Sequence, residues 1–210
     1  MNKNNSYKLL YKVTIILNLF IVVFTLYNCS TSKNISGIKL HPRSEWNAIE
    51  PKPYPSHNPV RITIHHEGTY FDSKKEDAKT HIRNTQIWGM SEARNWADIP
   101  YHFLIDFDGN IYEGRNVFTK GETATEYNPD GHLLITCLGN FEEQKVSKKQ
   151  LEALINITAY CCVKYNIPPD SIRTHKDYAN TLCPGKNLYK YFENGSFIKE
   201  VKKKLNDSTF

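Results

Sequence analysis

The sequence has no clustered stripe of basic residues. Its 27 Lys and Arg residues exceed the 22 Asp and Glu residues by five, and most of them are spread along the chain. The two small clusters, at 148–149 and 202–204, are typical of solvated helix faces. Because nucleic-acid-binding proteins usually concentrate positive charge on one face, this pattern argues against a nucleic-acid partner. The 40% hydrophobic and 12% aromatic content in 210 residues predicts one globular domain.

The sequence also lacks an apolar run long enough to cross a membrane comfortably. The longest run, residues 13–26, follows Lys3, Lys8 and Lys12. A positive segment followed by a short apolar stretch is typical of a signal peptide rather than a membrane span. We therefore predict that residues 1–28 are a signal peptide and that the protein is exported.

The apolar run ends in the letters LYNC at residues 26–29, which resemble a lipobox, the site where a bacterial lipoprotein is cleaved and acylated. This pattern predicts acylation of Cys29, a linker at 29–37 and a folded domain at 38–210. A lipid anchor would hold the domain at a membrane of the cell envelope, in the periplasm or outside the cell. Ordinary secretion and a retained signal anchor are the alternatives.

Strand and helix patterns are mixed along the rest of the chain, and no internal repeat is visible. Asp108-Gly109 predicts a hairpin turn, and Ser147 with Gln150 predicts a capping box at the start of a helix. Mixed strands and helices predict the α/β class, with a mixed central β-sheet flanked by helices in a single domain. The predicted elements are an ordered arm at 38–59, strands at 60–65, 101–106, 110–113 and 133–138, helices at 76–88, from 148 to before 168, 188–192 and 197–205, and a loop at 175–185.

Metal-binding side chains occur at both ends of this region. A histidine pair, His65-His66, closes the strand at 60–65, and His175 and Cys183 are eight positions apart near the C-terminus. Two imidazoles and one thiolate leave a coordination position open, which is the arrangement of a catalytic zinc site. The set therefore predicts a zinc hydrolase. The spacing by itself would favour a core histidine and an ordinary buried thiol.

Several motifs surround these residues in one order: IHH at 64–66, WADIPYHF at 96–103, DGNIYEGR at 108–115, LGNF at 138–141, QL at 150–151, HKD at 175–177 and CPG at 183–185. Together they resemble the zinc-dependent N-acetylmuramoyl-L-alanine amidase family, which includes phage amidases and the animal peptidoglycan recognition proteins. The resemblance covers residues 38–192 and implies a single amidase domain. The distance from His175 to Cys183 resembles the phage and animal branch rather than the branch with aspartate as third ligand.

The resemblance implies a role for each matched residue. His65, His175 and Cys183 are the expected zinc ligands. Tyr101 matches the tyrosine whose hydroxyl reaches the attacking water and the scissile carbonyl. Thr181 is the second expected catalytic residue; it stands where phage amidases have lysine, and animal members keep a small hydroxyl residue there.

Other positions depart from the family or allow two roles. The strand at 133–138 lacks the general-base glutamate of some relatives, and the stretch at 120–123 lacks a histidine often seen nearby. Substrate-binding roles are implied for His66, Arg115, Asn128 and Asn140. A structural histidine bonded to the backbone is the alternative for His66, and a scaffold role is the alternative for the other three.

The implied activity is cleavage of the amide between N-acetylmuramic acid and the L-alanine that begins the peptide stem. Zn²⁺ is the implied cofactor, peptidoglycan or a muropeptide is the implied substrate, and we expect a monomer. A non-catalytic peptidoglycan-binding module on the same fold is the alternative; members without activity typically lack the cysteine or the tyrosine, and Cys183 and Tyr101 are both present. A closed structural zinc site would need a fourth ligand, for which only His102 or His81 could be proposed.

Three cysteines have no assigned role. Cys137 could form a disulfide with Cys161 or with Cys162, since export permits oxidation. All three could equally be small buried hydrophobic residues. The sequence leaves both possibilities open.

Overall fold

Six strands form one mixed β-sheet in the computed structural model, which describes residues 38–207. Only the hairpin between the third and fourth strands is antiparallel, and the predicted mixed sheet in a single domain is confirmed. The strands are β1 (Leu40–His41), β2 (Arg61–His66), β3 (Phe103–Ile105), β4 (Ile111–Glu113), β5 (His132–Cys137) and β6 (Ile172–Thr174), and their order across the sheet is β1-β4-β3-β5-β2-β6.

The outer strands β1 and β6 are not predicted by the sequence pattern. They contain two and three residues, which is too short for an alternation of polar and apolar residues to be recognised. β6 pairs in parallel with β2. It therefore brings residues from the C-terminal third of the chain beside the strand that carries the histidine pair.

Four α-helices flank the sheet, as predicted: α1 (Ala78–Met90), α2 (Lys148–Lys164), α3 (Lys186–Glu193) and α4 (Ser196–Asn206). α1 begins at Ala78 rather than at residue 76 because the Asp77 carboxylate caps it, accepting the Thr80 N–H at 3.0 Å. Short 3₁₀ turns lie at Arg43–Trp46, Pro169–Ser171 and His175–Asp177, the last within the predicted loop.

The predicted capping box of α2 forms only in part. The Ser147 hydroxyl accepts the Gln150 N–H at 2.9 Å, as expected for an N-cap. The Gln150 side chain does not return to Ser147. It is fully buried and donates to the carbonyls of Ile105 and Leu138, at 3.0 and 3.1 Å. Gln150 therefore ties α2 to the ends of β3 and β5.

Side chains of the sheet alternate between two apolar clusters. Ile62, Ile64 and Ile135 pack on the face covered by α2 and α4. Leu104 and Tyr112 face the other cluster, which includes Ile82 of α1. Because strand side chains alternate, His65 points away from the face of Ile64 and toward the side of the sheet on which α1 packs.

The arm at 38–59 is ordered against the domain, as predicted. Arg43 donates to both carboxylate oxygens of Asp98, at 2.9 and 3.2 Å, and the buried Trp46 indole donates to the Glu113 carbonyl at 2.8 Å. Gln86 of α1 also donates to Asp98, at 2.6 Å. The Asp98 carboxylate thus joins the arm and α1 to the segment that leads into Tyr101.

The unassigned cysteines are free thiols in the structure. Cys137, Cys161 and Cys162 are all buried. Burial raises the pKa of all three, that of Cys162 to about 12, so they are protonated and pack as small apolar side chains. The structure therefore has three buried thiols and no disulfide among these cysteines, which is one of the two possibilities that the sequence leaves open.

The predicted signal peptide, Cys29 and the linker lie outside the described residues. Among residues 38–207, no helix is long and apolar enough to cross a membrane.

Two buried histidines bridge backbone groups in their neutral form. His102 accepts the Leu134 N–H at Nδ1 (2.8 Å) and lies 3.0 Å from the Thr119 carbonyl at Nε2. His57 stacks on it at 5.7 Å and makes the same kind of bridge between Gly131 and the Val117 carbonyl. Burial lowers the pKa of His102 to about 3 and also lowers that of His57.

We expect the free energy of unfolding to decrease as the pH falls below about 6.5, the pKa of an unfolded histidine. The folded state disfavours the charged form of His102. The contribution of neutral His102 to the free energy of unfolding is therefore complete above that pH, and it is lost progressively as the pH falls toward 3. At about pH 5, His102 alone should account for about 2 kcal/mol of lost stability. Urea unfolding at about pH 7.5 and at about pH 5 measures this effect. Between the two pH values, the free energy of unfolding of His102→Gln should decrease by about 2 kcal/mol less than that of wild type. An identical decrease in both proteins would contradict the prediction.

Candidate metal centre and substrate cavity

The candidate site lies at the carboxyl ends of parallel strands. β2 ends in His65 and His66, and β6 is followed directly by the 3₁₀ turn that begins with His175. Because β2 and β6 are parallel neighbours, their carboxyl ends meet at one edge of the sheet. The Cys183 sulfur approaches this edge from the following loop and lies 3.3 Å from the His66 backbone nitrogen.

His65, His175 and Cys183 form a compact cluster of donor atoms. One donor atom from each lies within 4.8 Å of the others, and all three residues are buried. The Cys183 sulfur is 3.6 Å from His65 Nδ1, and the two imidazole rings are 4.6 Å apart. Among residues 38–207, this is the only such group of three or more His, Cys, Asp or Glu side chains.

Burial keeps the three donors uncharged when no cation is present. It raises the pKa of the Cys183 thiol to about 12, lowers that of His175 to about 4 and lowers that of His65 well below its usual range. No carboxylate belongs to the cluster. A cation would supply the missing charge and favour the thiolate. Two imidazoles and one thiolate, with no fourth His, Cys, Asp or Glu donor among residues 38–207, fit an open zinc site.

A local cap holds the turn that carries His175. The Asp177 carboxylate accepts the Thr174 N–H at 2.7 Å and the Thr174 hydroxyl at 2.8 Å. This interaction fixes the backbone immediately before His175. Asp177 therefore helps to orient His175 without belonging to the cluster.

Two residues that sequence analysis does not identify support the imidazole rings. The Thr125 hydroxyl is 2.7 Å from His175 Nε2, and the Tyr127 hydroxyl is 3.4 Å from His65 Nε2. The Tyr127 ring also contacts those of His175 and Tyr178, at 5.1 and 5.7 Å. Outer partners of this kind fix the orientation of metal-binding histidines. The segment at 122–128 has no periodicity, so nothing in the sequence marks them.

Tyr101 and Thr181 line the same cavity as the cluster. The Tyr101 ring lies 5.5 Å from that of His65, and burial raises the pKa of its hydroxyl well above the usual value. Tyr101 is therefore protonated at neutral pH and can donate a hydrogen bond. The Thr181 hydroxyl accepts the Cys183 N–H at 3.2 Å, within the turn that presents the sulfur.

Of the four candidate substrate-binding residues, only His66 lines this cavity. Its Nδ1 accepts the Phe141 N–H at 3.1 Å, and burial lowers its pKa to about 4. Asn128 and Asn140 accept backbone N–H groups of the turns in which they lie, each at 3.1 Å. His66 thus lines the cavity while its ring is bonded to the backbone, and the two asparagines lie in turns outside the cavity.

Arg115 lies beneath the cavity wall rather than in the cavity. It is 2% exposed, and its guanidinium donates to the carbonyls of Asp98, Ile99 and Lys120. It also pairs with the carboxylate of Glu122, which does line the cavity. Of the two roles considered for Arg115, these contacts favour the scaffold role, in which it fixes Glu122 and the segment before Tyr101.

The two histidines considered as a fourth ligand lie elsewhere. Both ring nitrogens of His102 interact with backbone groups. The ring of His81 lies between Glu67 and Glu76, at 2.6 and 2.7 Å. Neither belongs to the cluster, so the described residues offer no closed four-ligand site.

The cavity has a volume of about 600 Å³ and extends from the cluster to α1. Its walls combine the cluster, Tyr101, a set of charged residues and two tryptophans. The lining residues beyond the cluster are His66, Glu67, Thr69, Glu76, His81, Asn84, Thr85, Trp88, Arg94, Trp96, Pro100, Tyr101, Thr181 and residues 122–125. This volume suits a ligand larger than a single amino acid or sugar.

Comparison with known proteins identifies the family to which this fold and this donor cluster belong. The family described as N-acetylmuramoyl-L-alanine amidase matches residues 55–186. Mouse peptidoglycan recognition protein 1 is 33% identical over 165 residues, which cover 76% of this chain and 88% of that protein.

Solved structures of recognition proteins have the same fold. Peptidoglycan recognition protein LE, in complex with tracheal cytotoxin (monomeric diaminopimelic acid-type peptidoglycan), superposes with a TM-score of 0.66 at 32% identity, covering 74% of this chain and 92% of that one. Human PGRP-IβC, in complex with glycosamyl muramyl pentapeptide, gives a TM-score of 0.65 at 29% identity, covering 73% and 94%. With its fold, its three-donor cluster and its sequence matched in this way, the chain belongs to the N-acetylmuramoyl-L-alanine amidase family.

Proposed function

We propose that this protein is a zinc-dependent amidase that cleaves the bond between N-acetylmuramic acid and L-alanine in peptidoglycan. The observation that carries the proposal is the presence, in one cavity, of the donor cluster His65, His175 and Cys183 together with Tyr101. Three donors leave room for a reacting group, whereas a structural site would be closed. The matched family and the peptidoglycan fragments named with its relatives supply the substrate class.

The chain's own residues have distinct tasks in such a reaction. Zinc bound by the cluster would supply Lewis acidity to the scissile carbonyl and to an attacking water. The protonated Tyr101 hydroxyl donates to the carbonyl oxygen as negative charge develops there, an effect worth about 3 kcal/mol per well-placed donor. Cys183 is committed as a ligand and does not act as a nucleophile. The Thr181 hydroxyl is available to hydrogen-bond the departing amine.

A non-catalytic peptidoglycan-binding protein is the second candidate, and the names of the relatives favour it. It would need the cavity but not the cluster. The close grouping of Cys183, His65 and His175 supports the enzyme instead, because a protein that only binds peptidoglycan would not need three donor atoms within reach of one zinc ion.

We also propose that the protein is exported and tethered to the membrane through acylated Cys29. The support is the signal-peptide pattern at 1–28 and the lipobox-like letters at 26–29. Mass spectrometry of the N-terminal peptide from the native host tests this: a diacylated or triacylated cysteine is expected, and an unmodified N-terminus at another position would contradict it.

Digestion of purified peptidoglycan tests the proposed function. The protein is incubated with the polymer with and without added zinc, and the released fragments are identified by mass spectrometry. Free stem peptides that begin with L-alanine, abolished by a chelator, are expected. Cosedimentation with the polymer without any released peptide would support the binding protein and overturn the amidase.

Cys183→Ser should weaken zinc binding by at least about 100-fold, since loss of even an outer partner of a ligand costs up to that factor. Wild-type zinc uptake should release protons and become tighter between about pH 6 and about pH 8, because the ligands must be deprotonated. Competition with a chromogenic chelator measures both. Cys162→Ser, outside the cluster, is the matched control and should bind zinc as wild type does; equal affinity of Cys183→Ser would place the metal elsewhere.

Tyr101→Phe should lower kcat by about 10²- to 10³-fold, the usual effect of removing one donor to an oxyanion. Zinc content and the Kd for a muropeptide should change little, because the ring remains in place. Tyr70→Phe is the control, since Tyr70 is 61% exposed and does not line the cavity. Unchanged kcat in Tyr101→Phe would remove the hydroxyl from the mechanism.

A further inference from the structure

The hydroxyl of Thr136 is buried without a hydrogen-bond partner among residues 38–207. Thr136 is 0% exposed, and this oxygen is the only polar atom of its side chain. The other unpartnered atoms of this kind, on Arg83 and Gln150, belong to side chains that have further polar atoms. Burying an unpaired hydroxyl destabilises a folded protein, and a valine would fill the same space without that cost. The threonine therefore calls for an explanation other than packing.

The strand register places this hydroxyl on the same side of the sheet as the donor cluster. Thr136 lies in β5, in register with His65 of β2 on one side and with Leu104 of β3 on the other. Its neighbours Ile135 and Cys137 point into the apolar cluster beneath α2 and α4. Because strand side chains alternate, Thr136 points to the opposite side of the sheet, as His65 does.

Tyr101 is the polar group next to Thr136. Its ring lies 5.5 Å from that of His65, the residue paired with Thr136, and it packs against the cluster that contains Leu104. Burial raises the pKa of the Tyr101 hydroxyl, and the nearby Thr136 hydroxyl opposes that rise. Tyr101 lines the cavity and Thr136 does not, so Thr136 can affect a bound substrate only through Tyr101.

The direction of a hydrogen bond between the two hydroxyls decides what Tyr101 can do. A phenol has one proton to donate, and its oxygen can accept a hydrogen bond at the same time. Donation from Thr136 leaves the Tyr101 proton free for the cavity, whereas donation from Tyr101 to Thr136 would occupy that proton. Donation from Thr136 also makes Tyr101 a stronger donor, because hydrogen bonds in a chain polarise one another.

We propose that the Thr136 hydroxyl donates to the Tyr101 oxygen and thereby directs the Tyr101 proton toward the scissile carbonyl. Thr136 is then a positioning residue, which needs neither contact with the substrate nor a proton transfer of its own. The inference rests on the proposed function for the reaction that Tyr101 assists. The contact between the two hydroxyls does not depend on that function and can be measured separately.

The test compares two substitutions of Thr136 with opposite effects. Thr136→Val keeps the volume of the side chain and removes the hydroxyl, whereas Thr136→Ser keeps the hydroxyl and removes a methyl group. Thr158→Val is the matched control, because Thr158 is also fully buried but its hydroxyl donates to the Leu154 carbonyl within α2, at 2.7 Å. For each variant, kcat and KM are measured with a synthetic N-acetylmuramoyl peptide, and stability is measured by urea unfolding.

Thr136→Val should lower kcat by about 3- to 10-fold with little change in KM, the effect of losing one neutral hydrogen bond. Thr158→Val should have the kcat of wild type. Thr136→Ser should keep kcat within about twofold of wild type although it is less stable, since it loses a buried methyl group. A purely structural role predicts the reverse order, with Thr136→Ser the more impaired, and that order would overturn the proposal.

A double substitution tests whether Thr136 acts through Tyr101. In a Tyr101→Phe background the phenol oxygen is gone, so adding Thr136→Val should not lower kcat further. An equal fall in kcat in both backgrounds would mean that Thr136 acts elsewhere. Unchanged kcat in Thr136→Val alone would also overturn the proposal.

Nuclear magnetic resonance of protein isotopically labelled at tyrosine Cζ detects the contact without hydrolysis. The Tyr101 signal, assigned by its loss in Tyr101→Phe, should shift in Thr136→Val and stay near its wild-type position in Thr136→Ser. This result without peptide release by wild type would contradict the amidase and leave the contact standing. Peptide release with an unshifted signal in Thr136→Val would leave the amidase standing and overturn the role of Thr136. Neither peptide release nor a shift would overturn both.

Discussion

The candidate site depends on the close approach of three buried side chains of the types that bind metals, with no carboxylate among them. His65, His175 and Cys183 lie together in the wall of the cavity, and burial holds each of them in its uncharged form. Two imidazoles and one thiol at this distance favour a divalent cation with an affinity for nitrogen and sulfur. The geometry that creates this cluster is simple: parallel β2 and β6 end at the same edge, and the loop after His175 returns Cys183 to that edge.

A second set of interactions positions the groups that surround this centre. The Asp98 carboxylate is bound by Arg43 and Gln86, while the backbone carbonyls of Asp98 and Ile99 are bound by Arg115. The segment that leads to Tyr101 is therefore held from both sides. This rigidity matters for the proposed role of Tyr101, because a hydroxyl that stabilises an oxyanion must be placed before the charge develops.

Much of the centre could be predicted from the sequence, because His65, His175, Cys183 and Tyr101 stand in motifs of recognisable order. The sheet class and the four helices followed from periodicity. The sequence does not predict β6, which places His175 beside β2, because three residues are too few to show an alternation of polar and apolar side chains.

Residues whose roles depend on the tertiary structure could not be predicted. Thr125 and Tyr127 reach the imidazoles from a segment without a pattern. Gln150 matched a local capping motif, yet its side chain serves the sheet. Arg115 matched a family position, yet Glu122 and three carbonyls occupy its guanidinium. In each case long-range partners, which local sequence does not specify, decided the outcome.

X-ray absorption spectroscopy of the zinc-loaded protein shows directly which atoms bind the metal. We expect the protein to supply one sulfur and two imidazole nitrogens, and we expect acetohydroxamate, a small zinc-binding ligand, to change the spectrum by entering the open position. A spectrum without sulfur would mean that Cys183 is not a ligand. A shell of four protein donors that acetohydroxamate leaves unchanged would mean a closed, structural site and would contradict the account.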